Sequence, residues 1–399
     1  MIESVHTTAK LNANADFNLN SDERKVVNEL KKYLGQKVID ESPLFNDDMS
    51  LLRWCLAFDN KYDLIVEKYQ DTSKTLASMK LYDVEFNDVD DINEFFKSYH
   101  ATAEYYAGGL VGQDKDGDWI LCQVIGRVKP KQFAYCGRVS DLFKGTLMSN
   151  IILYNLVRQT ERKQSRRCGM KLIYDLNGLG KEHFYPPTVK VYLNVLKLAQ
   201  DHFPELMHRV FIINAPGMFA SAYNVFKSVL TTRLRKLVEI MNGDYKARVF
   251  DQLGQENVYP NWGGTKIPKR GLPGCGTLLM AGPIPEHFRY SPEKNPLHVN
   301  DKQLKKISVP PRQEKEVRIL GQKGHKLVWF LKSSSEIDFS VWLGEKILRP
   351  KFRIQTDFVP EFDEVEIDED GEIVLVFDNK FSTFSKKSIY YYVDVKPKD

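Results

Sequence analysis

Three aspartates at alternate positions, Asp114, Asp116 and Asp118, have a spacing that suggests chemistry, since carboxylates two residues apart open the loop that holds calcium. The twelfth position, where such a loop needs an acid, is Ile125. With Gly117 among them, the aspartates predict a β-turn and no metal. Gly178-Leu179-Gly180 follows an apolar run and could cradle a phosphate, but no third glycine, no Lys-Ser/Thr pair and no acidic ribose partner follow in place. The nucleotide reading fails. His183, His202 and His208 are not spaced as metal ligands, Gly-x-Ser-x-Gly is absent, and no cysteine stands beside a local base. No catalytic residues and no metal are expected, and an enzyme could arise here only from residues that meet in the fold.

What remains is a surface. An apolar run, Val210-Phe211-Ile212-Ile213, breaks at Asn214-Ala215-Pro216-Gly217 and resumes as a helix in which Phe219, Ala222, Tyr223, Phe226, Val229 and Leu230 recur at three and four residues. Ser221, Asn224, Lys227 and Ser228 occupy the other face. Such a stripe is either plain core, or a movable wall over an apolar cavity that faces lipid when it swings out. Periodicity does not separate the two. Thr231-Thr232 can cap a short basic turn, and residues 237–241 predict a second buried strand closed by Asn242-Gly243.

The chain that must position this stripe has 399 residues, 42% hydrophobic and 28% charged, which suits two or three soluble domains. A net charge of +4 leaves no electrostatic footprint for a nucleic acid, so none is expected as partner. The five cysteines are scattered without a Cys-x-x-Cys pair, which argues for a reducing compartment and against disulfides or zinc. No stretch approaches the roughly 20 apolar residues of a membrane span, and no secretory leader is apparent. Any membrane contact is expected to be peripheral.

In chain order, residues 1–20 are polar and predict a loose terminus. Helices follow over 24–34 with Ser21 as cap, from Asp47-Asp48, and over 62–76 and 95–106. A strand over 119–125 leads to a long helix over 140–162, whose basic end (Arg162, Lys163, Arg166, Arg167) reads as a solvated terminus or, secondarily, as a contact for membrane phosphates. A strand over 170–176 and a helix opened by Pro186-Pro187 complete a mixed, mainly parallel sheet with crossovers. After Phe250 glycine and proline dominate, and beyond Leu304 short strands over 315–320, 326–331, 337–343, 372–377 and 388–395 predict an antiparallel sandwich. The acidic run 361–370 reads as a loop between strands.

Several of these stretches resemble one family together. Ile173-Tyr174-Asp175-Leu176-Asn177-Gly178-Leu179-Gly180, His202-Phe203-Pro204-Glu205, Ile213-Asn214-Ala215-Pro216, Ala222-Tyr223-Asn224-Val225-Phe226-Lys227 and Trp262-Gly263-Gly264-Thr265 resemble, in order and spacing, the CRAL-TRIO lipid-binding domain. The tail resembles a GOLD domain through Leu375-Val376-Phe377-Asp378-Asn379-Lys380-Phe381-Ser382, Lys386-Lys387 and the strand over 390–395. The combination is similar to the supernatant protein factor and tocopherol-associated type.

The resemblance implies an α/β CRAL-TRIO domain with a helical lead-in, followed by an all-β GOLD sandwich. The expected divisions are a flexible terminus (1–20), a helical region (21–90), the lipid-binding domain (91–268), a linker (269–300) and the sandwich (301–399). It implies a cytoplasmic, non-enzymatic protein that encloses one hydrophobic lipid, without a further cofactor, and exchanges it at membranes by transient peripheral contact. GOLD would direct it to a membrane or a protein partner. The alternative is a lipid-sensing adaptor in signalling or trafficking that acts through GOLD. The family's gate helix falls on residues 216–230, which favours the cavity-wall reading of the stripe.

By the same resemblance, lipid contacts fall to Met170, Leu172, Tyr174, Phe219, Tyr223, Phe226, Lys227 and Leu230, with Glu205, Lys61 and Lys236 as candidate head-group contacts. The cations that hold an inositol phosphate in phosphatidylinositol carriers of the family are missing. Ala57-Phe58-Asp59 stands in the lead-in with only Lys61 nearby, and the later positions fall on Leu234 and Leu237, one residue from Lys236. The small polar residues that serve phosphatidylcholine there fall on Met170 and Leu172. A buried phosphate without its cations is costly, so a neutral or weakly polar lipid, tocopherol-like or isoprenoid, is expected in place of phosphatidylinositol.

Overall fold

A computed structural model describes Val5–His6, Phe17–Met79 and Glu85–Lys398. The chain divides into two compact units. One comprises residues 1–73, 80–131 and 145–284, and the other residues 74–79, 132–144 and 285–399. The loose terminus expected over residues 1–20 lies almost wholly outside the described residues.

The first unit opens with the helix Ser21–Leu34. Its cap is Asn20 rather than Ser21: the Asn20 side chain accepts from the Glu23 amide at 2.9 Å, and Glu23 returns the bond to the Asn20 amide at 3.0 Å. Asp47 caps the next helix, Asp48–Ala57, through the Ser50 amide at 2.8 Å. The short helix Gln36–Asp40 lies between these two, and Tyr62–Ser78 follows them. Phe45, Trp54, Tyr69, Tyr154 and Phe203 pack edge to face or tilted around these helices, with ring centroids 5.2–6.5 Å apart. The helix expected over 95–106 starts earlier, as Val89–Ser98 capped by Asp88, and breaks before a short 3-10 turn.

A five-stranded sheet follows, in the order β1 (Gly109–Gln113), β2 (Trp119–Gln123), β3 (Met170–Asp175), β4 (Met207–Ile213), β5 (Val238–Ile240). β2 to β5 are parallel and β1 is antiparallel to β2. β1 was hidden in the sequence because two of its five residues are glycines. At Gly109 the reason is close approach: a Cβ there would lie 2.6 Å from the Asn93 amide oxygen, which accepts from the Leu110 amide at 2.8 Å. β5 is shorter than expected and only partly buried, being the edge of the sheet. The long helix Val139–Gln164 and the helix Pro186–His202, with prolines at its first positions, are the crossovers.

The second unit carries two four-stranded antiparallel sheets. Its strands are β6 (Lys305–Val309), β7 (Glu314–Gly321), β8 (His325–Ser333), β9 (Ile337–Leu343), β10 (Lys346–Ile354), β11 (Glu361–Glu366), β12 (Gly371–Asp378) and β13 (Lys387–Pro397). The orders are β11-β8-β13-β6 and β10-β9-β12-β7. Trp329 meets Phe339 and Phe377 meets Tyr391 between the sheets, at 6.2 and 6.0 Å. The acidic run is a strand for half its length, correcting the loop expected there. Its charges within the strand find cations: Glu361 pairs with Arg349 at 2.9 Å, both almost fully buried, Asp363 with Lys144 at 2.5 Å, Glu364 with Lys326 at 2.8 Å and Glu366 with Lys398 at 2.8 Å. β6 and β10 are further strands that residue patterning did not single out.

Candidate functional site

Two faces of the first sheet differ in how they are covered. On one, Ile120, Cys122, Ile173, Phe211 and Ile213 are 2% exposed or less and pack with Val249, Leu253, Val258 and Trp262. That face is closed. On the other, Leu172, Val210 and Ile212 lie under Phe219, while Leu121, Tyr174, Tyr223, Phe226, Leu234 and Val238 pack against them and all keep accessible surface. That face is covered less completely than the other.

The cover is the helix Phe219–Lys227, shorter than the 216–230 expected. It loosens at its end, where the amides of Ser228, Val229 and Leu230 bond three residues back. Phe219 and Leu230 are 6% and 9% exposed, and Phe219 lies 6.0 Å from the Tyr223 ring and 6.3 Å from that of Phe226. The stripe does face the sheet. Met218 and Val225 point outward, 43% and 48% exposed, as does Lys227, which therefore stands away from the apolar cluster. Met170 is fully buried and outside that cluster, whereas Leu172 and Tyr174 belong to it.

A left-handed turn precedes this helix. Asn214 adopts a left-handed φ of 53°, and its side chain donates to Asp175 Oδ1 at 2.7 Å. The same oxygen accepts from the Asn177 amide at 2.9 Å, and Asp175 Oδ2 accepts from Trp262 Nε1 at 3.0 Å. One buried carboxylate thus ties together three of the stretches that carried the family resemblance. In the third of them Gly264 is obligatory, since a Cβ there would lie 1.9 Å from the Val258 carbonyl oxygen. After the helix, Thr231 caps Thr232–Leu237 as its sequence suggested, accepting from the Leu234 amide at 3.2 Å.

Glu205 meets Arg233 at 3.5 Å, and Arg233 also meets Asp59 at 3.5 Å, so the cation beside Glu205 is Arg233. Lys61 and Lys236 are exposed. The run Arg233-Leu234-Arg235-Lys236 was the signal for it, but only the fold shows which of these bases faces Glu205.

The other polar residues are structural. Lys171 lies 2.6, 3.4 and 3.6 Å from Asp114, Asp116 and Asp118, where its ammonium supplies the positive charge a metal would bring. Burial pushes the Asp118 carboxyl up, but His208, bonded at 3.0 Å, and Lys171 hold it down at about 2. Among the described residues no group of His, Cys, Asp and Glu could hold a metal, and the five cysteines are free thiols. His183 is bonded to Gly180 within its own turn.

His202 is buried, with Nδ1 2.9 Å from the Thr72 hydroxyl, and burial lowers its pKa. A histidine whose folded pKa is depressed stabilises the fold above its unfolded value of about 6.5, and that stability is lost as pH falls through the folded pKa. Thermal melts between pH 7.5 and 5 should show stability falling toward acid, and His202→Asn should flatten that slope. An unchanged slope would assign it elsewhere.

Residues 103–264 match the CRAL/TRIO domain. Among similar proteins, Protein ctg-1 of Caenorhabditis elegans is 23% identical over 88% of this chain and 92% of its own length. The Sec14 cytosolic factor of Schizosaccharomyces pombe is 27% identical over 59% and 80%. A crystal structure of Sfh5 aligns over 60% of this chain and 85% of that one at 17% identity, with a TM-score of 0.43. The chain thus carries a CRAL/TRIO domain, preceded by a bundle of helices and followed by an all-β region of two antiparallel sheets.

Proposed function

We propose that this protein is a non-enzymatic carrier that holds one neutral or weakly polar lipid, tocopherol-like or isoprenoid, behind the helix Phe219–Lys227 and exchanges it at membranes. CRAL/TRIO proteins are lipid-binding and transfer proteins, and the difference between the two sheet faces is the observation that supports the reading here. Apolar surface left accessible under that helix is stabilised when a lipid covers it, at roughly 25 cal/mol per Å² removed from water. When the helix swings out, bilayer must replace that contact. Met218 and Val225 on the outer face, with Lys227 beside them, suit a helix that meets an anionic bilayer surface. No described helix is long and apolar enough to cross a membrane. The proposed contact is peripheral.

Arg233 is already shared between Glu205 and Asp59, which supports the expectation that an inositol phosphate finds no free pair of cations here. The all-β region, in the GOLD reading, would direct the carrier to a membrane or a protein partner. Phe226→Asp tests the proposal by placing a carboxylate against the cluster under the helix. Transfer of a fluorescent tocopherol between vesicles should fall at least tenfold with the fold retained by circular dichroism. Transfer at the parent rate, or native mass spectrometry of the purified protein showing a stoichiometric inositol phospholipid, would refute it.

A further inference from the structure

The two sheets of the second unit end in four edge strands, β6, β7, β10 and β11, and an edge strand presents backbone groups to which another strand can bond. Three of the four are protected. β6 is five residues long, opens on the exposed pair Lys305-Lys306, and its last carbonyl, that of Val309, accepts from the Asn379 side chain at 3.2 Å. β10 carries Pro350, and its register with β9 shifts twice. β11 is six residues long, four of them acids, and Arg138 donates to the carbonyl oxygen of Phe362 within it.

β7 has none of these devices. It runs eight residues, Glu314–Gly321, without proline, and keeps an unbroken register with β12 from Glu314 opposite Asp378 to Gly321 opposite Gly371. Glu314, Lys315, Glu316, Arg318 and Leu320 are exposed, Leu320 by 79%, so the strand lies open to solvent. Val317 and Ile319 stand opposite the buried Leu375 and Ile373 and so face the core, which puts Glu314, Glu316, Arg318 and Leu320 on the outer face. Edges of one sign, as on β6 and β11, repel their own copies. The alternation of Glu316 and Arg318 admits one.

We infer that β7 is the surface on which a second copy of this chain docks, the two strands running antiparallel about a two-fold axis at Val317. Side-chain direction and charge choose the register. An axis between Val317 and Arg318 would turn the core face of one copy to the solvent side of the other. An axis at Arg318 sets that arginine against its own copy, and axes farther along the strand shorten the pairing. The axis at Val317 pairs residues 314–320, keeps both core faces on one side, and sets Glu316 opposite Arg318 twice. Arg318 already donates to Glu316 and Glu372 of its own chain, which holds its guanidinium on the outer face with 54% of the side chain exposed. This pairing is independent of what the first unit carries.

A single strand pair is a small interface, so the association is weak and shows only at high concentration. Sedimentation velocity of the full chain from about 5 to about 500 µM covers that range, and the parent should pass from monomer to dimer across it. Glu316→Arg and Arg318→Glu each set like charges across the axis and should weaken association about tenfold, with circular dichroism unchanged, because two attractive cross-strand pairs become repulsive. Mixed in equal amounts, the two variants should associate as tightly as the parent, since every arginine then faces a glutamate. A parent dimer that both variants keep, or a mixture no tighter than its components, overturns the pairing. A parent that stays monomeric throughout overturns it too, and leaves β7 to a strand from another protein.

Discussion

Arg53→Ala should destabilise the first unit by about 3–5 kcal/mol, the usual cost of removing one partner from a buried ion pair. Arg53 has no exposed surface. Its guanidinium donates to the Glu161 carboxylate and to the carbonyl oxygens of Cys168 and Glu205, so one side chain of the helix Asp48–Ala57 holds the long crossover helix and the entries to β3 and β4. Burial pushes the Glu161 carboxyl up and Arg53 opposes it, and alanine would leave that carboxylate without its counter-charge. Glu161 also accepts the Cys168 amide at 3.0 Å, so Glu161→Gln, which keeps an acceptor oxygen, should cost distinctly less than Arg53→Ala. Urea midpoints measure both. A loss below about 1 kcal/mol for Arg53→Ala would place the pair among those that contribute nothing measurable.

Glu205 shows how such packing prepares a site. Its backbone is left-handed, at a φ of 54°, its carbonyl oxygen accepts from Arg53, and its carboxylate meets Arg233. The buried arginine therefore fixes the backbone of the residue whose carboxylate meets Arg233. A lone charge between Leu52 and Trp54 in an apolar helix is the trace that Arg53 leaves in the sequence. Its partners lie more than a hundred residues away and leave none nearby.

The same division runs through the molecule. The stripe of Phe219, Tyr223 and Phe226 was legible because a helix turns every 3.6 residues and shows its buried face locally. The capping threonine, the proline-started helix and most sandwich strands were legible for similar local reasons. β1 was lost to its two glycines, one of them required by Asn93, and β11 to acids whose cations come from other strands and the crossover helix. Pattern reveals which face a segment buries; it is silent on what meets that face.

Asp175→Ala should be the other severe substitution, because a single buried carboxylate serves Asn177, Asn214 and Trp262 at once. Each orphaned buried donor costs about 1–3 kcal/mol, and since the three share one site their sum is best bounded at about 3–5 kcal/mol. The variant acts on the turn ahead of the helix Phe219–Lys227 as well. Asn214 holds a left-handed backbone just ahead of Pro216-Gly217, and without its bond to Asp175 that conformation has less to maintain it. Asp175→Asn separates the two effects. Asparagine can still accept at one oxygen but turns a donor toward either Trp262 or Asn214, so about 1–3 kcal/mol should be lost with the fold intact. If that turn governs exchange, amide hydrogen exchange over the helix Phe219–Lys227 should quicken in that variant relative to β3 and β4. Uniform quickening across the sheet would instead make Asp175 a keystone of stability with no separate hold on the helix that follows.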